Sequence, residues 1–343
     1  MIIGFDFQPL VQRASGGEVQ WMRGVIHAYA KRFPDDRILL FDPEDFSLEL
    51  PRCPSIERIC ADRHVLHELE SDILRSRSVD VLVRTYPTVT HPIFPMERQI
   101  VIIPDMQFAE RPEFSSPETL RHRRLAFGRV LSEVGAVATM TEFSRESVLH
   151  YPWTVCRDVF LMPPAVDFDI IAETPEKSKT NAAWEEAVTA FSSFFFMPAN
   201  SWPGKNHRRL FEAFALAQPR LPAGTGLVLT GAGNEWPKLL SGFEQLPIRH
   251  LGYLSRPDVA RLYRRARALV FFSNYEGFGM PLLEAFHFGT PVACSNIAAL
   301  AEVGKDAVLS CAPDDVPAMA AILLQTTGVP KWNASRTGMP KPS

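Results

Sequence analysis

Short apolar runs alternate with longer amphipathic stretches along most of the chain. Runs of strand length begin at Ile2, Ile38, Val79, Ile100, Ala136 and Val159, and again at Ser193, Leu227, Ile248, Ala268 and Val292. Between them Val19, Met22, Ile26, Tyr29 and Phe33 fall on one helical face, and Leu210, Phe211, Phe214 and Ala217 repeat the pattern later. Strand-length runs separated by helical periods are the signature of parallel βαβ units, so the chain is predicted to be α/β. Two doubly wound, Rossmann-like domains account for the two series more readily than one. The polar, aperiodic stretch Glu173-Thr174-Pro175-Glu176-Lys177-Ser178-Lys179-Thr180 places the boundary within residues 169–190, with room for a short helix around Trp184–Val188. The predicted division is a first domain over 1–170, a linker over 171–190 and a second domain over 191–326. After a helix near Val316–Leu324 the tail over 327–343 is rich in proline and lysine without apolar periodicity, and is expected to be disordered.

Composition narrows the function classes. The 343 residues are 46% hydrophobic, enough for two cores, and the net charge of -3 gives no global pull toward nucleic acid. Local basic clusters, Arg121, Arg123 and Arg124 or Arg261, Arg264, Arg265 and Arg267, read as solvated helix faces. Five cysteines without a C-x-x-C pair argue against a disulfide framework or a cysteine zinc site, and for a reducing compartment. Met1-Ile2-Ile3-Gly4-Phe5-Asp6 is no signal peptide, and no apolar stretch reaches the ~18 residues of a membrane span. A soluble, cytoplasmic protein is expected, with room for a peripheral membrane contact.

The chemistry concentrates in Ser273-Asn274-Tyr275-Glu276-Gly277-Phe278-Gly279-Met280-Pro281-Leu282-Leu283-Glu284. Gly277 and Gly279 allow a tight turn after an apolar strand, and Pro281 suits the first turn of a helix. The unpaired N–H groups of that turn favour a phosphate, and carboxylates such as Glu276 and Glu284 accept hydrogen bonds from hydroxyl-rich ligands. The bland alternative is a capped helix after a glycine turn, with both glutamates exposed. Gly16-Gly17, after the first strand, also forms an anion-friendly opening to a helix.

This segment resembles the E-x7-E signature of the retaining family 4 glycosyltransferases, and the likeness runs through the second half. Phe195 to His207, with Lys205-Asn206, is similar to the family's first strand, loop and "KN" element. Leu227-Val228-Leu229-Thr230-Gly231-Ala232-Gly233, His250-Leu251-Gly252-Tyr253, Gly289-Thr290-Pro291-Val292 and Ala301-Glu302-Val303 resemble its later elements in order. In the first half, Pro104-Asp105 and Thr141-Glu142-Phe143-Ser144 resemble a strand end and the closing segment. The resemblance implies a GT-B fold, two Rossmann-like domains facing a cleft. It also implies hexose transfer, with mannose a first guess, from a GDP- or UDP-sugar to a saccharide, lipid-linked or small-molecule hydroxyl acceptor. No metal, cofactor or covalent nucleophile is implied. Lys205 would meet the diphosphate and Asn200 would stand beside it. Glu276, with Gly277, Phe278 and Gly279, would hold the donor sugar, Glu284 the ribose, and Tyr253 would lie near the base. Gly16 and Gly17 would form the acceptor-side or phosphate loop. Lys205, Glu276 and Asp105 are the catalytic candidates.

The chain departs from the pattern at three places. Ala199 or Asn200 stands where many members carry a second phosphate-binding arginine, and Pro104 where many carry a histidine. The residues after Leu324 are too few for the family's closing helix, so a C-terminally short member with weakened activity is expected. Two rivals follow: a GT-B binding protein with impaired catalysis, and a nucleotide-sugar epimerase, for which the sequence offers no histidine constellation.

Overall fold

Each predicted βαβ series forms one wholly parallel sheet. The computed structural model describes residues 1–8, 16–45, 50, 53–87, 94–156, 158–164 and 182–328. It divides into two compact units, Met1–Asp167 and Phe168–Ser343. The first begins β1 (Ile2–Asp6), α1 (Gly16–Arg32), β2 (Arg37–Pro43), β3 (Ile56–Ala61), α2 (Arg63–Ser76) and β4 (Val81–Arg84). It continues β5 (Gln99–Ile102), α3 (Gln107–Glu110), α4 (Pro117–Glu133), β6 (Ala136–Thr139), α5 (Glu142–Leu149) and β7 (Val159–Leu161). The strand order is β3-β2-β1-β4-β5-β6-β7.

The second unit begins α6 (Ala182–Thr189), β8 (Ser193–Pro198), α7 (His207–Ala217), β9 (Thr225–Thr230), α8 (Trp236–Leu240) and β10 (Ile248–His250). Then come α9 (Arg256–Arg265), β11 (Ala268–Phe271), α10 (Met280–His287), β12 (Val292–Ser295), α11 (Ala298–Gly304), β13 (Leu309–Cys311) and α12 (Val316–Thr326). Its order is β10-β9-β8-β11-β12-β13.

The inner strand β8 reads as a continuous apolar run. Phe194, Phe195, Phe196 and Met197 of β8 are all buried, because helices cover both faces of a parallel sheet. Leu210, Phe211, Phe214 and Ala217 of α7 pack into the same core, as the helical period predicts. The first unit's core clusters are built around Val101, Phe108 and Val137, and around Phe41, Leu66 and Leu82.

Several expectations need correction. The strands β3 and β13 are additional to those expected; polar residues interrupt their short runs, Glu57 and Arg58 in β3 and Ser310 in β13. Phe33 lies beyond the last residue of α1 and is 46% exposed, while Trp21 fills the core and donates its indole N–H to the Met162 carbonyl at 2.8 Å. Gly16 and Gly17 are the first residues of α1 itself, so the helix opens two residues earlier than expected. The short helix allowed for around Trp184–Val188 is present as α6, and it delivers Trp184 and Val188 to the second core. The tail from residue 329 onward, with its expected disorder, lies outside the described residues, as do 165–181.

Candidate active site

In an open α/β sheet, ligands bind beyond the carboxyl ends of the strands where the strand order reverses. In the second sheet that point lies between β8 and β11, which pair through Ala268 with Phe195 and Leu269 with Phe196. Lys205 follows β8 and Glu276 follows β11, so the switch point brings the two together. The Lys205 Nζ donates to Glu276 Oε1 at 2.7 Å and stands 5.3 Å over the Phe271 ring. Their side chains are 21% and 10% exposed. An ammonium has three donors, so this one can hold Glu276 and still address an anion.

The backbone around the pair is locked from several sides. Pro203–Lys205 is a 3₁₀ turn closed by Asn206 in the left-handed region at φ 59°. The Asn206 amide donates to the Phe272 carbonyl at 2.8 Å and the Pro313 carbonyl at 2.6 Å, while Asn274 N–H donates to the Gly204 carbonyl at 2.8 Å. Asn200 accepts from the Ala232 N–H through Oδ1 at 2.8 Å, tying the β8 loop to the β9 loop. Its carbonyl oxygen is thus structural, and its Nδ2 is the group with donor chemistry to offer.

Gly279 caps α10 at φ 101°, and a Cβ there would stand 2.4 Å from a Leu300 methyl carbon. That glycine lets the chain turn from the β11 loop straight into the helix, with Gly277 and Phe278 before it and Pro281 in the first turn. Glu284 lies one turn further on. It is 8% exposed, accepts from the Tyr263 hydroxyl through Oε2 at 2.8 Å, and has Arg256 3.7 Å from Oε1. Burial, then the Glu284 charge, holds the Tyr263 phenol well above its usual range, so it remains a donor. Two exposed glutamates on a capped helix are therefore not what the structure contains. Tyr253 is 61% exposed in the loop before α9.

A ring cluster supports these loops from below. Trp236 stacks on His250 at 3.9 Å and meets His207 edge-on at 4.8 Å, and the His250 Nε2 lies 3.0 Å from the Gly231 carbonyl. Burial pushes His207 down to about 4, so it is neutral at ordinary pH. Sequence reasoning passed over Tyr263, Arg256 and His207; the one available signal was the two-turn spacing of Arg256 and Tyr263 on α9.

The other candidates belong to the first unit. Asp105 follows β5 and accepts from Gln107 N–H at 2.9 Å, a turn that starts α3. It acts electrostatically on the Tyr86 phenol, which burial holds above its usual range and Arg123 pulls back, by its charge first and then by a hydrogen bond. Arg123 thus departs from the solvated-face reading given to its cluster. Gly16 and Gly17 open α1 in the same unit. Where that sheet's order reverses, Asp6 pairs in register with Arg84, and both are buried with Glu70. Glu70 accepts from the Gln8 amide at 2.6 Å. Burial, then Asp6, holds the Glu70 carboxyl well above the usual carboxylate range.

Among the described residues, no helix is long and apolar enough to cross a membrane. Residues 186–326 match the family model of glycosyl transferases group 1. The chain is 30% identical over 250 residues to O-antigen chain mannosyltransferase B of Escherichia coli, covering 71% of this chain and 64% of that protein. A glycogen synthase of Mycobacterium tuberculosis is 37% identical over 114 residues, 31% of this chain and 28% of that one. The chain thus spans less than two thirds of the length of these relatives. Among solved structures, WaaG, a glycosyltransferase involved in lipopolysaccharide biosynthesis, superposes with a TM-score of 0.66 at 17% identity, covering 95% of this chain and 90% of that one. Anabaena HepE, solved with UDP and glucose, gives 0.68 at 15% identity over 96% and 90%. Those likenesses show the fold, the two Rossmann-like domains of GT-B. Residues 186–326, which lie within the second unit, thus match the group 1 glycosyltransferases.

Proposed function

We propose that the chain transfers a hexose from a nucleoside-diphosphate sugar to a hydroxyl acceptor, with retention at the anomeric carbon. The observation that carries this reading is the Lys205–Glu276 pair, 2.7 Å apart where the second sheet's order reverses and next to the first turn of α10. Lys205 meets the diphosphate and stabilises the charge that grows on it as the glycosidic bond breaks. Glu276 and the backbone N–H groups of Phe278 and Gly279 hold the sugar hydroxyls, and Glu284 the ribose. The Asn200 amide and Tyr253 stand on the phosphate and base sides. Positioning and leaving-group stabilisation carry the rate, with no metal and no covalent nucleophile. Asp105 and the Gly16–Gly17 opening of α1 are the acceptor-side candidates. Mannose is the hexose favoured by the mannosyltransferase among the relatives, and a GDP- or UDP-linked donor fits the site's chemistry.

The acceptor is a saccharide, lipid-linked or small hydroxyl compound. A lipid-linked one would bring the protein to a membrane surface. The support is in the first unit, where Leu125, Trp153 and Val155 are exposed, Arg121 and Arg124 share α4 with Leu125, and Trp153 lies against Gly128 of the same helix.

The test is release of nucleoside diphosphate from a panel of GDP- and UDP-sugars, with and without acceptors, and the anomeric configuration of any product by NMR. Turnover with retention is expected. An inverted product contradicts the mechanism, and failure to bind or turn over any donor overturns the reading.

A further inference from the structure

One face of α9 reaches both oxygens of the Glu284 carboxylate. Arg256 is the first residue of α9 and Tyr263 lies two turns later, so both project toward the same side of the helix, about 10 Å apart along its axis. Both reach Glu284, Tyr263 at Oε2 and Arg256 at Oε1. Tyr263 has little freedom to do anything else. It is 1% exposed, its ring meets Phe196 of β8 edge-on at 5.0 Å and stacks on Phe288 at 5.7 Å, and its carbonyl accepts from the Thr290 hydroxyl at 2.7 Å. A buried phenol so fixed is a rigid peg for one carboxylate oxygen. Arg256 is different: it is 39% exposed and 3.7 Å away, a looser partner at the rim.

A glutamate in a helix has three rotatable bonds, and a ligand that hydrogen-bonds it bears the entropy of ordering it. Fixing Oε2 in advance removes that cost and sets the plane in which the carboxylate meets a vicinal diol. We propose that Tyr263 and Arg256 are the positioning pair of the nucleotide site, holding Glu284 in the orientation that recognises the 2′- and 3′-hydroxyls of a ribonucleoside diphosphate. The inference rests on the reading of Glu284 as the ribose-binding carboxylate. It adds the residues that make this carboxylate selective and locates them on α9, outside the motif that contains Glu284.

The experiment is calorimetric titration of the full chain with GDP and UDP, and with the 2′,3′-dideoxy form of whichever binds. Wild type is expected to favour the ribo form by about tenfold or more, the size of a charge-assisted hydrogen-bond contribution. In Tyr263→Phe, affinity for the ribo form should fall about tenfold while the dideoxy form changes less than about twofold, so discrimination collapses. Donor KM should rise in step, with kcat at saturation nearly unchanged. Arg256→Gln, at an exposed position that tolerates substitution, should lower discrimination by about threefold and keeps the test open should Tyr263→Phe fail to fold. In a Glu284→Gln background, adding Tyr263→Phe should change affinity less than about twofold.

Equal losses for ribo and dideoxy ligands in both variants would mean a structural role only, and would overturn the inference. So would unaltered discrimination in both. If wild type does not discriminate at all, the ribose role of Glu284 itself fails, which separates that failure from failure of the positioning pair.

Discussion

Lys205 and Glu276 answer to two parts of a donor, the diphosphate and the sugar, yet the structure makes them each other's nearest polar partner at 2.7 Å. Removing one leaves the other largely buried and unpaired, so their effects cannot be independent. Lys205→Ala and Glu276→Ala are each expected to lower kcat/KM by about 10- to 100-fold, the range of a charge-assisted hydrogen bond. The double variant should fall well short of the product of the two, and purely multiplicative losses would show that the pair does not act as a unit. His207 shows how burial beneath the site links to pH. Its folded value of about 4 lies below the ordinary 6.5, chiefly through burial, so between those values the unfolded chain takes up a proton that the folded one refuses. Stability from this source is complete above pH 6.5 and is lost as pH falls toward 4, by up to about 3 kcal/mol. Denaturant midpoints of the second unit should therefore drop over that window in wild type. The drop should be smaller in His207→Gln, and identical profiles would clear His207 of the effect.

At the scale of elements, the site is a strand–loop–helix unit whose turn is set by one residue. Gly279→Ala would put a side chain at φ 101° and drive its Cβ to 2.4 Å from Leu300. A loss of about 2–4 kcal/mol in thermal stability is expected, together with weakened nucleotide binding, because the first turn of α10 would shift. A variant with native stability and binding would mean that the loop tolerates another path. Much of this unit was legible in the sequence because its chemistry is local. The apolar strand, the glycines, Pro281 and the two glutamates lie within one short stretch, and the period of the flanking runs identifies what surrounds them. What escaped has non-local causes. Tyr263 and Arg256 reach Glu284 only because the fold brings residues of α9 and α10 together across the sequence, and a buried tyrosine in an amphipathic helix reads as core. The second part played by Asn200, whose carbonyl oxygen joins the β8 and β9 loops, is likewise non-local. The strands β3 and β13 escaped instead because polar residues interrupt their short runs, Glu57 and Arg58 in one and Ser310 in the other.

At the scale of the whole molecule, each unit has its own sheet and core. The second unit's cluster runs from Trp184 to Leu323, and the first unit's clusters from Leu39 to Val159. The residues assigned to the donor, Lys205, Glu276 and Glu284, all lie in the second, with Asp105, Gly16 and Gly17 in the first. A ligand stabilises only the unit that holds its contacts, by RT ln(1 + [L]/Kd), about 2.7 kcal/mol at a hundredfold excess over Kd. For a unit of this size that corresponds to roughly 5–10 °C in melting temperature. Scanning calorimetry of the full chain should thus resolve two transitions, and GDP or UDP should raise one of them and leave the other in place. In Lys205→Ala the same nucleotide concentration should produce a much smaller shift, because the diphosphate loses its cation. Trypsin digestion in the presence of nucleotide assigns the shifted transition, since protection should extend over the second unit's peptides. A nucleotide that raised both transitions equally, or protected first-unit peptides alone, would place the donor's contacts elsewhere than on the loops after β8 and β11.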